Sequence, residues 1–110
     1  MVEFITYKKK KYPLRISYYV LMMAQKESGV TIDDLDSDFE AQQHILWYGL
    51  QAGAKMADTE VTLLREDMMW VLDECYLEFQ KAMYSFAKSL IDIQTQAFSQ
   101  QEQKGEPKKK

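Results

Sequence analysis

The chain has 110 residues, 46% of them hydrophobic, and only four glycines and two prolines, which suits one modest core and argues against a turn-rich all-β fold. The net charge of −3 is unevenly spread, because positions 27–92 hold 14 acidic and four basic side chains while lysines cluster near both ends. An acidic body repels phosphate backbones, so nucleic-acid binding by the fold is disfavoured.

The first 16 residues predict a β-hairpin. Residues 2–7 are rich in the β-branched and aromatic side chains of strands, and residues 11–16 would pair back as a second strand. The lysine run 8–11 would form the turn, and a solvated turn suits it better than a nucleic-acid patch. Pro13 has no amide hydrogen, so the second strand must lie at an edge or end there.

A first helix is predicted over residues 17–28. Ser17 suits the N-cap, and Gly29 suits the left-handed position that follows a helix end. The helical spacing predicts one face made of Leu14, Tyr18, Leu21, Met22 and Gln25.

A second helix is predicted from Ser37 to about Lys55. Ser37 and Glu40 fit a capping box, after a single turn over residues 32–35 that Thr31 would cap. Its apolar side chains cover two adjacent faces, which predicts a central, buried helix: Phe39, Leu46, Trp47, Leu50 and Ala54 on one, Ala41, Ile45, Tyr48 and Ala52 on the next. Gly49 and Gly53 would let another helix approach closely or would mark a fraying helix end, and close packing is the better interpretation.

A third, much longer helix is predicted from Arg65 without a break before Gly105. The preceding residues 56–64 are expected to form a loop with a short extended piece at 61–63, and Thr62 would cap the helix. Its apolar positions follow a near-heptad spacing: Met68, Leu72, Cys75, Phe79, Met83, Phe86, Leu90, Ile93 and Ala97. A body of this size cannot cover such a helix, so residues 89–103 are expected to protrude, fold back or pair with another chain.

The predicted fold class is therefore all-α, with three main helices, a long C-terminal helix and a short N-terminal hairpin over residues 1–16. Residues 1–98 are expected to form one helical domain, and residues 99–110 a disordered polar tail. Protein binding is expected through side chains of the long helix: Met68, Met69, Leu72, Tyr76, Phe79, Met83, Phe86 and Leu90. Methionine suits varied partners because its thioether is flexible, although core filling is the simpler interpretation for Leu72 and Phe79. The heptad spacing also favours self-association.

Two patterns resemble metal sites without completing one. Asp34, Asp36 and Asp38 alternate as in a calcium loop, but Phe39 stands where the loop requires glycine, so helix capping and solvation explain the acids better. Glu40 and His44 share a helical face, but His44 is the single histidine, so they offer at most two ligands. We expect no metal or cofactor.

No catalytic motif is present, and we expect no enzymatic activity. Cys75 is the single cysteine and lies in the apolar seam, where it is expected to behave as a small hydrophobe. Residues 45–57, the longest apolar-looking stretch, fall short of the ~20 needed to span a bilayer, and no signal peptide is evident. A soluble, cytoplasmic protein is expected.

Four stretches together resemble a known family. They are Tyr-Pro-Leu-Arg at 12–15, LWYGLQAGAK at 46–55, TLLREDM at 62–68 and VLDE at 71–74. In pattern and order, over residues 1–80, the chain resembles the tail assembly chaperones of long-tailed bacteriophages and prophages. It departs from that pattern in its lysine-rich turn and in its long helix after Phe79.

The resemblance implies a specific function. Such proteins bind the long, apolar tape-measure protein in the host cytoplasm, keep it soluble, help recruit tail-tube subunits and are absent from the mature virion. The alternatives are a small structural head–tail or tail component, and a helical regulatory protein. A regulator that reads nucleic acid would need a basic recognition helix, and none of the three predicted helices is basic.

Overall fold

The computed structural model describes residues 3–105, without the side chains of residues 32, 33, 36 and 92–105. The chain is mostly helical, with a small two-stranded antiparallel sheet at its N-terminus. In chain order, its elements are β1 (Glu3–Tyr7), β2 (Lys10–Leu14), α1 (Tyr18–Ser28), α2 (Phe39–Met56) and α3 (Met68–Gly105). Short 3₁₀ turns at Ile32–Ser37 and Arg65–Asp67 lead into α2 and α3.

The predicted hairpin is confirmed, with its turn inside the lysine run. Glu3 pairs with Leu14 at one end of the ladder, and Tyr7 pairs with Lys10 at the other. Lys8 and Lys9 form the turn with φ values of 51° and 67°. Positive φ at both central residues is the geometry whose twist matches the right-handed twist of the strands, and the sequence places no glycine or asparagine there.

The open edge of β1 is covered by side chains of α3. The amide of Thr6 donates a 2.9 Å hydrogen bond to the carboxylate of Glu78, and the amide of Lys8 donates one of 3.1 Å to Glu74. The Cys75 thiol donates to the Thr6 carbonyl at 3.0 Å. One helical turn of α3 therefore satisfies backbone groups that an exposed strand edge would leave open to pairing with another chain.

Helix α3 is not straight at this contact. Cys75 has non-helical angles, with φ of −113° and ψ of 25°, which corrects the expectation of an unbroken helix. Neither proline nor glycine stands nearby, so the sequence gives no sign of a kink. The kink lies at the residue whose thiol bonds to β1 and between the two glutamates that bind its edge.

Helix α1 has the predicted ends but buries a different face. The Ser17 hydroxyl accepts a hydrogen bond from the amide of Val20, and Gly29 takes a φ of 76° at the C-terminal end. Val20 and Ala24 are buried, whereas Tyr18 and Met22 of the predicted face are exposed. Leu14 and Leu21 of the predicted face do contact the core, so that face is buried in part.

Helix α2 begins one residue later than predicted. Asp38, and not Ser37, is the N-cap, because its carboxylate accepts a 2.9 Å hydrogen bond from the amide of Ala41. The Ser37 hydroxyl instead donates to the carbonyl of Asp34 in the preceding 3₁₀ turn. A carboxylate at this position also complements the positive end of the helix dipole.

The two glycines of α2 allow close packing, as predicted, but the element that approaches is a strand. A Cβ on Gly49 would lie 2.7 Å from the Leu14 side chain, and one on Gly53 would overlap the Pro13 carbonyl. The amide of Arg15 donates to the Gly49 carbonyl at 3.0 Å. The expectation of a neighbouring helix was wrong, because the end of β2 crosses α2 at backbone distance.

The segment between α2 and α3 forms no strand. Val61 and Leu63 pack partly against the core, but within residues 3–105 the two hairpin strands are the only ones, so the predicted extended piece has no strand to pair with. Thr62 does not cap α3. The Asp67 carboxylate accepts a 2.8 Å hydrogen bond from the amide of Leu64, while the Thr62 hydroxyl lies 3.5 Å from the Lys10 ammonium.

The core lies where the hairpin, α1 and α2 meet the first half of α3. Its buried hydrophobic members on the first two helices and the hairpin include Ile5, Leu14, Val20, Ile45, Leu46 and Leu50. From α3 it takes Met68, Val71, Leu72, Cys75, Phe79 and Ala82. The backbone of α3 stays helical to Gly105, so residues 99–105 of the predicted tail are helical, and residues 106–110 lie outside the described residues.

Candidate protein-binding surfaces

The eight residues predicted to bind protein divide into three groups in the structure. Three are buried in the core and present no surface: Met68, Leu72 and Phe79. Two are partly buried and pack against the core: Met83 and Phe86. Three are exposed: Met69, Tyr76 and Leu90. Leu72 and Phe79 therefore fill the core, as the simpler interpretation predicted, and so does Met68.

Two of the exposed residues line an apolar groove. The groove encloses about 460 Å³ between the start of α2 and the start of α3. We call it the α2–α3 groove, and its lining consists of Phe39, Gln42, Gln43, Met69, Trp70, Leu72, Asp73 and Tyr76. It is concave and mostly apolar, with few polar groups, which is the usual make-up of a binding site.

Phe39 defines the rim of this groove. The sequence placed it on a buried face of α2, but 74% of its surface is exposed, because it is the first helical residue and points away from the core. Trp70 stands on the α3 side and is 64% exposed. Two large aromatic side chains on facing helices thus remain in water, and an apolar patch of this kind commonly marks an interaction site.

The polar residues of the groove make its buried side different from its exposed side. Gln42 is 1% exposed, so its amide lies at the buried side, while Asp73 is exposed and supplies a negative charge at the opening. A ligand segment would therefore meet apolar walls with a carboxylate at one side. This arrangement favours an apolar helix that carries a lysine or arginine beside its apolar face.

A second exposed apolar feature runs along α3 and shares Trp70 with the groove. Trp70, Leu77, Tyr84 and Ile91 follow one another at intervals of seven residues, and each exposes at least 60% of its surface. We call these four residues the α3 stripe. Sequence reasoning missed it, because it followed the other near-heptad seam of the helix. The signal was present as four adjacent apolar pairs seven residues apart: 69–70, 76–77, 83–84 and 90–91.

An ionic cluster joins α1, α2 and the turn before α3. The Arg65 guanidinium donates to the Glu27 carboxylate, and this hydrogen bond holds the pKa of the Glu27 carboxyl below its usual value. The Nδ1 atom of His44 lies 3.4 Å from the same carboxylate. Arg65 also lies 5.6 Å and 5.5 Å from the ring centres of Trp47 and Tyr48. His44 is half-buried, and its neighbours hold three segments together.

Cys75 is built to stay protonated. It is 2% exposed, and burial, with the nearby charges of Glu78 and Glu74, raises the pKa of its thiol to about 11. A nucleophilic cysteine needs the opposite environment, one that lowers the pKa. The buried position agrees with the prediction of a small hydrophobe.

The chain offers few other features by which a function could be assigned. Among the side chains that the structure describes, no three His, Cys, Asp or Glu residues lie close enough to hold a metal ion. Within the same part of the chain, no helix has the length and apolarity needed to cross a membrane. Compared with protein-family models, with curated proteins and with solved structures, the chain has no match. The groove and the stripe are therefore the candidate binding surfaces of the described residues.

Proposed function

We propose that the chain is a tail assembly chaperone of a long-tailed phage or prophage. In this role it binds the tape-measure protein in the host cytoplasm, keeps it soluble and helps recruit tail-tube subunits, and it is absent from the finished virion. The observation that supports this proposal best is the α2–α3 groove, where Phe39, Met69 and Tyr76 offer an exposed apolar lining without a partner segment from the rest of the described chain.

Binding would work by covering apolar surface on the client. Removing apolar surface from water contributes ~25 cal/mol per Å², so a few client side chains seated in the groove supply the affinity. Met69 can adjust its shape to different client segments, because its unbranched side chain has several accessible rotamers. Such adaptability suits a protein that must bind many similar stretches of one long helical client.

The acidic charge of the chain suits the same role. Asp73 at the groove opening would pair with a basic residue beside the client's apolar face. The excess of acidic side chains between positions 27 and 92 would also keep the client complex soluble, because net charge opposes association between complexes.

Co-expression with the tape-measure protein encoded alongside the chain tests this proposal. The wild-type chain should bring the client into the soluble fraction and co-purify with it. The double variant Phe39→Ser/Met69→Ser should lower the soluble, co-purified client at least ~10-fold, since two apolar side chains leave the contact, each contributing ~1.5–3 kcal/mol when fully buried. Both residues are largely exposed, so the fold should remain intact.

The matched control is Met22→Ser, which removes an exposed methionine from α1, outside the groove. This control should solubilise the client as well as the wild-type chain does. Circular dichroism should show equal helix content in all three proteins. A client that stays insoluble with the wild-type chain would contradict the chaperone function, and equal rescue by the double variant would contradict the assignment to the groove.

A further inference from the structure

Another cavity lies at the far end of α2 from the groove. It encloses about 640 Å³ between the start of α1 and the last turns of α2. Arg15 and Lys55 are its charged residues, and the described residues that line it include no aspartate or glutamate, so we call it the basic pocket. Phe39 and Lys55 stand at opposite ends of α2, ~24 Å apart along the helix axis at ~1.5 Å per residue. The groove and the basic pocket are therefore separate sites.

The guanidinium of Arg15 has little to bind within its own chain. Its Nη1 atom lies 3.1 Å from the sulfur of Met56, and it forms no ion pair with any side chain that the structure describes. A thioether is a weak acceptor, whereas a guanidinium has five N–H donors, so most of its hydrogen-bonding capacity is left for another molecule. Arg15 is half-buried, and its backbone amide bonds to the Gly49 carbonyl, which holds it beside α2.

Lys55 adds a second positive charge to the pocket. It is exposed in the last turn of α2, and it too lacks an ion pair among the described side chains. A lysine in a last turn complements the negative end of the helix dipole, which would explain Lys55 alone. It does not explain Arg15, which precedes α1 and faces the same cavity. The Ser17 hydroxyl accepts the amide of Val20, so its own hydrogen can still be donated into the pocket.

The acidic side chains close to the pocket do not neutralise it. Glu27 reaches the pocket wall through a hydrogen bond with the Tyr48 hydroxyl, but the Arg65 guanidinium binds its carboxylate. Asp58 follows α2, and it contacts Lys55 through the backbone, where its amide donates to the Lys55 carbonyl at 3.3 Å. The pocket thus stays basic in a body whose positions 27–92 hold 14 acidic and four basic side chains.

We propose that the basic pocket binds a carboxylate-bearing peptide segment of a partner protein. A guanidinium pairs well with a carboxylate, because two parallel N–H groups can reach its two oxygens. The cavity is much larger than a single ion needs, and Tyr19, Ala52 and Met56 give it apolar walls for the rest of a peptide. This inference needs neither the tape-measure protein nor the groove, so it goes beyond the proposed chaperone function.

The charge of the whole body favours a short acidic segment over nucleic acid. At physiological salt, interactions between exposed charges are largely screened beyond ~8 Å, so a segment with one or two carboxylates meets mainly the pocket. A nucleic-acid strand would carry its phosphates beyond the pocket and across the acidic body, where repulsion opposes binding.

Two-dimensional NMR of the purified, isotope-labelled full chain tests the proposal. The probe is the peptide Leu-Glu-Glu-Leu with both ends blocked, and its matched control is Leu-Gln-Gln-Leu. The acidic peptide should shift the amide signals of residues 15–19 and 51–56. The control peptide should bind at least ~10-fold more weakly, because hydrogen bonds to a charged group are the stronger ones.

Two variants and a control show whether the cations of the pocket are responsible. Arg15→Gln should weaken binding of the acidic peptide at least ~10-fold, because the group is half-buried. Lys55→Gln should weaken it about threefold, because an exposed charge pair contributes less. Lys26→Gln removes an equally exposed lysine from the last turn of α1, outside the pocket, and should bind as the wild-type chain does. None of the three changes a residue of the α2–α3 groove, so solubilisation of the client should be unchanged.

Three results would overturn the proposal. They are the absence of shifts at the pocket, equal binding of the two peptides, and an affinity that neither Arg15→Gln nor Lys55→Gln lowers relative to Lys26→Gln. A short oligothymidine is the last probe, and it should bind at least ~10-fold more weakly than the acidic peptide. Tighter binding of the oligothymidine at the same amides would contradict a peptide ligand and assign the pocket to nucleic acid.

Discussion

The two sides of α3 have nearly the same periodicity and opposite surroundings. The inner side carries Leu72, Cys75 and Phe79 at heptad-like spacing and is buried. The outer side carries the α3 stripe at intervals of seven and is exposed. Apolar periodicity therefore identifies a helix and its seams, but it does not decide which seam the rest of the chain covers. That choice depends on what packs against the helix.

The surroundings of the inner side explain the difference. The open edge of β1 bonds to Glu74 and Glu78, and these two glutamates flank the buried Cys75. The Thr6 carbonyl also accepts a hydrogen bond from the Cys75 thiol, so the hairpin fixes which side of α3 turns inward. The stripe, on the other side, is left as surface for another molecule.

Removing one large side chain from each side of α3 should give the largest contrast. Phe79→Ala should lower the free energy of unfolding by about 3–5 kcal/mol, because it leaves a cavity in the core. Leu77→Ala, two residues away and 77% exposed in the native chain, should change it by no more than ~0.5 kcal/mol. Urea unfolding of dilute protein measures both, and similar losses for the two variants would show that the assignment of the sides is wrong.

The pKa and the reaction rate of a thiol should also differ between the two sides of α3. The native Cys75 has a pKa of about 11, while a cysteine at the exposed position 77, made as Leu77→Cys in a Cys75→Ala background, should titrate near the usual ~8.5. At pH 8 the buried thiol should react with a disulfide reagent ~100-fold more slowly, since far less of it is thiolate. Its rate should keep rising toward pH 11, whereas that of the exposed thiol should level off above ~pH 9.

Unfolding provides the control for this comparison. In concentrated urea both thiols are in water, so their rates should agree. Equal rates in the folded proteins at pH 8 would contradict a buried, protonated Cys75.

Much of the fold follows from local chemistry in the sequence. Ser17 and Gly29 were predicted to end α1, and they lie at its observed ends. The Ser17 hydroxyl accepts a hydrogen bond from a free amide at the start of the helix, and Gly29 takes the left-handed conformation at its end. The hairpin follows from its β-branched and aromatic strands, and the close approach at Gly49 follows from the absence of a side chain there. These signals act within a few residues and need no knowledge of distant partners.

The errors concern contacts between distant segments. The kink at Cys75 coincides with bonds to β1, nearly 70 positions earlier in the chain, and no local residue announces it. Phe39 fits the apolar pattern of α2, but its place at the helix start puts it outside the core. The α2–α3 groove arises from the meeting of two helix ends, so the list of expected binding residues included Met69 and Tyr76 but missed Phe39 and Trp70.

Trp70 offers the most direct test of the claim that this exposed surface is a client-binding site. It lines the groove and is largely exposed, and Trp47 is the other tryptophan, so Trp47→Phe leaves Trp70 as the single reporter. In this variant, Trp70 should emit at the long wavelength of a solvated indole, and titration with soluble segments of the tape-measure protein should shift the emission to shorter wavelength until the groove is saturated. An emission wavelength that stays unchanged while the client binds would contradict the account.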